Sequence, residues 1–207
     1  MEVFRPLVLA VLGCALCVTG CAGADGPAPG PTALTNDTTQ TADNIRIYSD
    51  PVFKGAPTGV LNVLAGKVNE YAMAHPKVFS GSYFASDYSK VYVGVAKPDD
   101  PAASAYEELA TKLDPGRHRI VTADARWSWY ELDALKDLLA KKYLMQGKGG
   151  IQSVGLNTAI DSVVVGVLSK PLDPTLTDNR TVIEIARRYG DMVVFRESLG
   201  RITLDAK

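Results

Sequence analysis

The sequence predicts an α+β fold of two tandem helix-hairpin-helix-strand repeats, each a three-stranded, mainly antiparallel sheet packed with helices. Three observations lead there. The run Val91-Tyr92-Val93-Gly94-Val95 returns as Val163-Val164-Val165-Gly166-Val167, an offset of 72 residues. At that offset Tyr71 and Met73 meet Tyr143 and Met145, Phe79 meets Ile151, and Ile120-Val121 meets Met192-Val193. Segments of helical periodicity alternate with pairs of short extended runs, and runs joined by a short link pair antiparallel.

The first repeat covers residues 44–125. A helix is expected over 60–74, followed by two extended runs at 79–86 and 90–96. Asp100-Pro101 opens a helix running to Leu113, with proline in the first turn where its missing N–H costs nothing. Asp114-Pro115-Gly116 stops it, and a third strand follows at 118–122.

The second repeat covers residues 126–198. Ser128-Trp129-Tyr130-Glu131 has the spacing of a capping box, in which each end side chain satisfies the backbone amide of the other. Trp127 and Leu132 flank it as a hydrophobic staple, and Leu132, Leu135, Leu138, Leu139 and Tyr143 continue as an apolar stripe. Gly147-Lys148-Gly149-Gly150 ends the helix. Residues 151–157 and 162–168 form a hairpin around Thr158 to Asp161, and Asp173-Pro174 opens a loop. A helix follows over 181–189, with a second box through Thr181 and Glu184, then a last strand over 191–197. The run from Ser162 to Val167 is apolar at successive positions, which predicts partial cover on both sheet faces, by the other repeat or by a partner.

Residues 1–20 read as a signal peptide. An apolar run from Leu7 to Val18 is shorter than the roughly 20 residues a spanning helix needs. It leads into Val18-Thr19-Gly20-Cys21, which resembles the lipobox of bacterial lipoprotein precursors. That resemblance makes Cys21 the lipidated first residue of the mature chain. Each buried methylene of its acyl chains contributes about 0.8 kcal/mol, enough for two or three chains to hold the protein on a membrane. The expected location is the cell envelope, on the outer side of the cell membrane, or periplasmic or outer-membrane in a two-membrane host. Residues 21–43 are read as a flexible linker, with Leu34 their only large apolar side chain, and 199–207 as a C-terminal tail. The three cysteines, Cys14, Cys17 and Cys21, lie in the signal or at its cut, so packing without disulfides must hold the fold.

The balance of 22 basic and 23 acidic residues gives a formal charge of −1, which provides no basic footprint for nucleic acid. Neither His75 nor His118 stands in a metal-ligand spacing, and no G-x-S-x-G elbow occurs. Gly147-Lys148-Gly149-Gly150 lacks the order of a phosphate loop and follows a helix instead of preceding one. Glu107-Glu108 and Asp99-Asp100 sit where carboxylates complement helix starts. No catalytic residue, metal or cofactor is expected. Trp129 and Tyr130 are the candidate ligand platform.

The second repeat resembles the pro-domains of secreted serine proteases of the α-lytic-protease and streptogrisin type. The residues that carry the resemblance are Trp127-Ser128-Trp129-Tyr130-Glu131-Leu132, 151–157 and Ser162 to Val167, within a likeness spanning 79–197. In that family the pro-domain assists folding of the protease and inhibits it, adding its sheet to a protease hairpin and laying its tail in the active-site cleft. No protease follows here, so the resemblance implies action on a separate exported protein. It points to Met192, Val193, Val194, Phe195 and Arg196 for strand addition, and to Arg201, Ile202 and Leu204 for the tail. The alternative expectation is an envelope lipoprotein that holds a small molecule or cell-wall fragment in the cleft between the repeats.

Overall fold

The computed structural model describes residues 38–40, 45–168 and 176–198, and the chain enters it through two short strands, β1 (Thr38–Gln40) and β2 (Arg46–Tyr48). Helix α1 (Gly59–Ala74) follows, capped by the Thr58 hydroxyl, which accepts from Leu61 N at 3.3 Å. The hairpin β3 (Phe79–Phe84) and β4 (Val91–Val95) leads to α2 (Pro101–Leu113), where the Asp100 carboxylate accepts from Ala102 N at 2.9 Å. Strand β5 (Ile120–Asp124) completes the first half.

The second half opens with α3 (Trp129–Leu139), which runs on through a π-helical turn at Ala140–Leu144. Its capping box is formed as the sequence predicts: Ser128 N donates to the Glu131 carboxylate at 2.9 Å and Glu131 N to Ser128 Oγ at 3.4 Å. Strands β6 (Ile151–Asn157) and β7 (Ser162–Leu168), helix α4 (Arg180–Tyr189) and strand β8 (Val193–Ser198) follow. The second box does not form. Helix α4 starts one residue earlier than expected, so Asn179 is its cap, with Oδ1 accepting from Thr181 N and Val182 N. Glu184 instead accepts from the Tyr143 hydroxyl at 2.8 Å and Lys142 Nζ at 2.9 Å.

The class is α+β, as expected, but the sheets differ from the expectation of three mainly antiparallel strands each. Among the described residues the first sheet has the order β3-β4-β5, and the second has five strands in the order β1-β2-β8-β7-β6. Both hairpins are antiparallel, whereas β5 lies parallel to β4 and β8 parallel to β7. The reason lies in the connection. A tight link reverses the chain, but a link that contains a whole helix brings the third strand back in its original direction. The linker expected to reach residue 43 also ends earlier, because Thr38–Gln40 already pairs with Arg46–Tyr48.

The two halves share one pairing plan down to a bulge, which falls between Phe79 and Gly81 in one and between Ile151 and Ser153 in the other. Their spacing is not the uniform 72 residues read from sequence. The buried helix positions Leu61, Leu64, Val68 and Ala72 correspond to Leu132, Leu135, Leu139 and Tyr143, 71 residues on. The hairpins keep 72. In the last strands Val91 faces Ile120 while Val163 faces Val193, so Ile120 corresponds to Val193 and not to Met192, an offset of 73.

Each half has its own core on the helix side of its sheet. Leu61, Val68, Phe79, Val91, Val93 and Tyr106 fill the first, and Leu132, Leu139, Val163, Val165, Ile185 and Phe195 the second. Ile45, fully buried, joins the second core with Ile47 beside it, so the entering segment closes the free side of β8 with apolar side chains as well as with strand pairing. Gly81 lies where the halves meet. Its φ of +115° excludes an L side chain, and a Cβ there would stand 2.8 Å from Thr158 Cγ2 and 3.4 Å from the Trp129 ring.

Ile45→Ala is expected to cost about 2–5 kcal/mol, the range for emptying a fully buried aliphatic site. Urea denaturation measures it, and a midpoint unchanged from the parent would show that the entering segment does not close the second core.

Candidate functional site

Alternation along the second sheet sorts its residues into two faces. Val163, Val165, Val167, Val193 and Phe195 point into the core, which turns Val164, Gly166, Val194 and Arg196 to the other side. Beyond the bulge, Val154 and Leu156 pack on the core, so Ser153, Gly155 and Asn157 join the outer face. Tyr48 covers Val164 and Val194 there, with Ile160 packed alongside, so this part of the second face of β7 is covered by the entering segment and not, as expected, by the other repeat or a partner.

A hollow of about 270 Å³ lies on this outer face, lined by residues that include Tyr48, Asp50, Ser153, Gly155, Asn157 and Arg196. A second, of about 700 Å³, shares Ser153 and Arg196 and extends over Leu144, Gly147, Gln152, Leu168 and Ser198. Arg196 therefore lines both hollows. Its Nη1 donates to both oxygens of Asp50, at 2.8 and 3.1 Å, with the Arg196 side chain 40% exposed. An ion pair this open to water contributes up to about 1 kcal/mol, so its effect is to orient the guanidinium more than to stabilise the fold. Asn157 Nδ2 donates to the Tyr48 hydroxyl at 2.8 Å. Burial first, then the Asp50 charge, raises the Tyr48 hydroxyl above its ordinary value, so the phenol stays neutral in physiological water. At Gly155 a Cβ would meet nothing within 4 Å, which leaves the floor of the smaller hollow bare.

The structure redistributes the residues singled out from sequence. β8 is not an edge. β7 pairs with it along Val193 to Ser198 and β2 pairs with it through Ile47 and Phe195, so strand addition by a partner at Met192 to Arg196 is overturned. Val193, Val194 and Phe195 are buried, Met192 is half-buried, and only Arg196 of that set opens on a hollow. Trp129 packs between the halves against Gly81, while Tyr130 is 56% exposed with Lys77 Nζ 5.3 Å above its ring. The two side chains therefore do not form one platform. Cys21, Arg201, Ile202 and Leu204 lie outside the described residues. His118 is exposed, and His75 is half-buried and stacked on Tyr71 at 4.5 Å. Among the described residues no group of three His, Cys, Asp or Glu could hold a metal ion, and no helix is long and apolar enough to cross a membrane.

Tyr48, Asp50, Ser153, Gly155 and Asn157 were not candidates from sequence. The period-two alternation of small polar Ser153, Gly155 and Asn157 against Val154 and Leu156 is the signal that marks one polar strand face. No protein-family model matches the chain, and no curated protein matches it.

At the junction between the halves, the other place where the sequence suggested a ligand, hydrogen bonds cross from one half to the other. Thr158 Oγ1 donates to Ser82 O at 3.0 Å, and Tyr130 N donates to Pro76 O at 2.9 Å. Asp161, at the end of the β6–β7 turn with φ +51°, accepts from Arg126 N at 2.5 Å and Trp127 N at 3.0 Å. Burial pushes its carboxyl above the ordinary range, against the two amides and the Arg126 charge that favour ionisation. Tyr83 beside it is pushed up to about 12 by burial, then by Tyr92 and Asp161.

A raised folded-state value means that the folded chain holds this proton more tightly than the unfolded chain. The contribution of Asp161 to stability is therefore greatest below the unfolded value of about 3.9 and falls as pH rises through its folded value. Asp161→Asn keeps an acceptor for both amides and tolerates the left-handed backbone, so it should flatten that part of the urea-midpoint profile without a loss at pH 7. Asp161→Ala strands both amides and should cost about 1–3 kcal/mol. Identical pH profiles for parent and Asn variant would remove Asp161 from the junction's electrostatics.

Proposed function

We propose that this chain is a non-catalytic binding module of the bacterial cell envelope, held on the membrane by lipidated Cys21, which engages an exported protein as the pro-domains it resembles do. The observation that carries this reading is the outer face of the second sheet, where Arg196 lines two open hollows. A fixed guanidinium with spare donors, set over a bare glycine floor, suits a carboxylate or main-chain carbonyl of an incoming segment. Asp50 takes Nη1 of Arg196, one nitrogen of a guanidinium that carries five N–H donors.

Two further features support the reading. The lipobox-like Val18 to Cys21 and the linker read over residues 21–43 fit a module tethered at the membrane surface. The common pairing plan of the two halves, with its matched bulges, supports descent from one duplicated unit, the organisation on which the resemblance rests. The partner contact moves from the β8 edge to the sheet face, with the tail residues Arg201, Ile202 and Leu204 as its extension.

A second reading is favoured by the lining itself. The hydroxyl and amide groups of Ser153, Tyr48 and Asn157 beside Arg196 and Asp50 are the donor and acceptor set for a small polar molecule or a cell-wall fragment.

Two variants test the site. Gly155→Leu places a side chain in the smaller hollow without backbone strain, and Arg196→Ala removes the guanidinium. In cross-linked capture from envelope fractions, each should lower recovery of the bound protein about tenfold, equal to about 1.4 kcal/mol, with urea midpoints near the parent. Equal recovery from parent and both variants overturns the protein-binding reading. If instead wall fragments raise the melting point of the parent but not of Gly155→Leu, the second reading holds, with about 2.7 kcal/mol of stabilisation at a hundredfold excess over Kd.

A further inference from the structure

The third strand of the first half has a neighbour on one side only. β5 lies beside β4, and among the described residues no strand flanks its other side, whereas the corresponding β8 is flanked by β2. Val91 N donates to Arg119 O at 2.7 Å and Ala125 N to Val95 O at 3.0 Å, so the odd-numbered residues of β5 turn their main-chain groups to β4. Ile120, Thr122 and Asp124 turn theirs outward. Thr122 stands where Phe195 stands in β8, and Phe195 is the residue that pairs with Ile47 of β2.

The outward groups make a defined set. Asp114 accepts from Ile120 N at 3.0 Å, which leaves Thr122 N and Asp124 N as outward donors and the carbonyls of Ile120, Thr122 and Asp124 as outward acceptors. A second copy of the strand, running antiparallel about a two-fold axis at Thr122, matches them. Thr122 N donates to Thr122 O of the second copy and Asp124 N to Ile120 O, and the symmetry repeats both bonds. Only the bond from Ile120 N drops out of that ladder, because Asp114 holds this amide.

The side chains suit the same arrangement. On the outer face Val121 comes opposite Ala123 of the second copy, and both are half-buried. On the helix side the Thr122 hydroxyl donates to Glu107 at 2.5 Å, and Arg117 pairs with that carboxylate at 2.6 Å, the Arg117 and Glu107 side chains being 47% and 38% exposed. A patch that carries both signs side by side meets its two-fold image with opposite charges facing. Along the chain Arg117 and Arg119 precede the strand and Asp124 ends it, so antiparallel pairing sets the basic start of one copy beside the acidic end of the other. Arg126, just beyond, is held by Asp191 at 2.7 Å. A strand of another protein has no such match built in.

We propose that β5 is a self-association edge, at which two copies of the chain pair antiparallel around Thr122 and join their first sheets. The contact is short, at the weak end of specific interfaces, so it forms and parts with concentration. It is independent of the hollow beside Arg196, which lies in the other half. The mature chain carrying Cys21→Ser, which has no other cysteine, is the material for the test. Sedimentation should show a concentration-dependent dimer. Thr122→Pro removes the outward amide without touching the ladder to β4 and should weaken the dimer about tenfold or more. Thr122→Ala keeps that amide, loses only the hydroxyl, and should stay within about threefold of the parent.

Register is read separately, and it decides the matter alone if Thr122→Pro fails to fold. Chains with Val121→Cys and with Ala123→Cys are mixed in a glutathione redox buffer. Residues directly opposite without mutual hydrogen bonds have Cα atoms about 4.5 Å apart, within disulfide range, so the mixed disulfide should form in excess over random pairing. A chain that stays monomeric, a dimer that folded Thr122→Pro leaves as tight as the parent's, or disulfides formed at random each overturn the proposal.

Discussion

The closure of β8 by the chain's own entering segment organises the second half. A strand left open on one side exposes unpaired amides and carbonyls and invites pairing with another chain. Here Ile47 pairs with Phe195, while Ile45 and Ile47 complete the core beneath. Tyr48 then covers Val164 and Val194 on the opposite face, and Asp50 comes within reach of Arg196. One short stretch, 45–50, thus turns a would-be edge into a central strand and shapes the hollow beside it.

The first half differs here, with β5 the outer strand of its sheet. At β5 the position corresponding to Phe195 is Thr122, whose hydroxyl donates to Glu107 at 2.5 Å. Glu107 is pulled upward by partial burial, but the hydrogen bonds from Thr122 and Arg117 outweigh this and hold it below the ordinary carboxylate range. Asp114 accepts from the amides of Arg119 and Ile120 at 2.7 and 3.0 Å, which occupies the start of the strand. Side-chain polar groups therefore hold this strand to α2 and its loop where a paired strand flanks the other, and one topology carries two different surfaces.

Much of this was readable from the residues. Local signals with a single physical meaning were clear: the Ser128 and Glu131 cap, the proline-led start of α2, and the hairpin limits at Ile151–Asn157 and Ser162–Leu168. What escaped depends on contacts far apart in sequence. Nothing in Arg46–Tyr48 by itself says that it will lie beside a strand nearly 150 residues later, and with that pairing unseen, Met192 to Arg196 looked like an edge. The parallel third strand follows from the helical connection, which a search for short links overlooks. The even 72-residue offset concealed one extra residue after the buried stripe of α3 and another before β8, because buried valines and isoleucines look alike when shifted by one. The hollow was hidden for a related reason: its lining comes from β2, β6, β7, β8 and the stretch after β2, and only Arg196 among those residues had a reason to be noticed.

The order of strands also decides how the folded body would respond to a pull on its N-terminal segment. A load applied through the segment upstream of Thr38 reaches β1 first, passes through its antiparallel partner β2, and is then borne by the parallel contact between β2 and β8. Tension is therefore delivered to the strand that carries Arg196, and peeling away β2 would remove Asp50 and Tyr48 from its side.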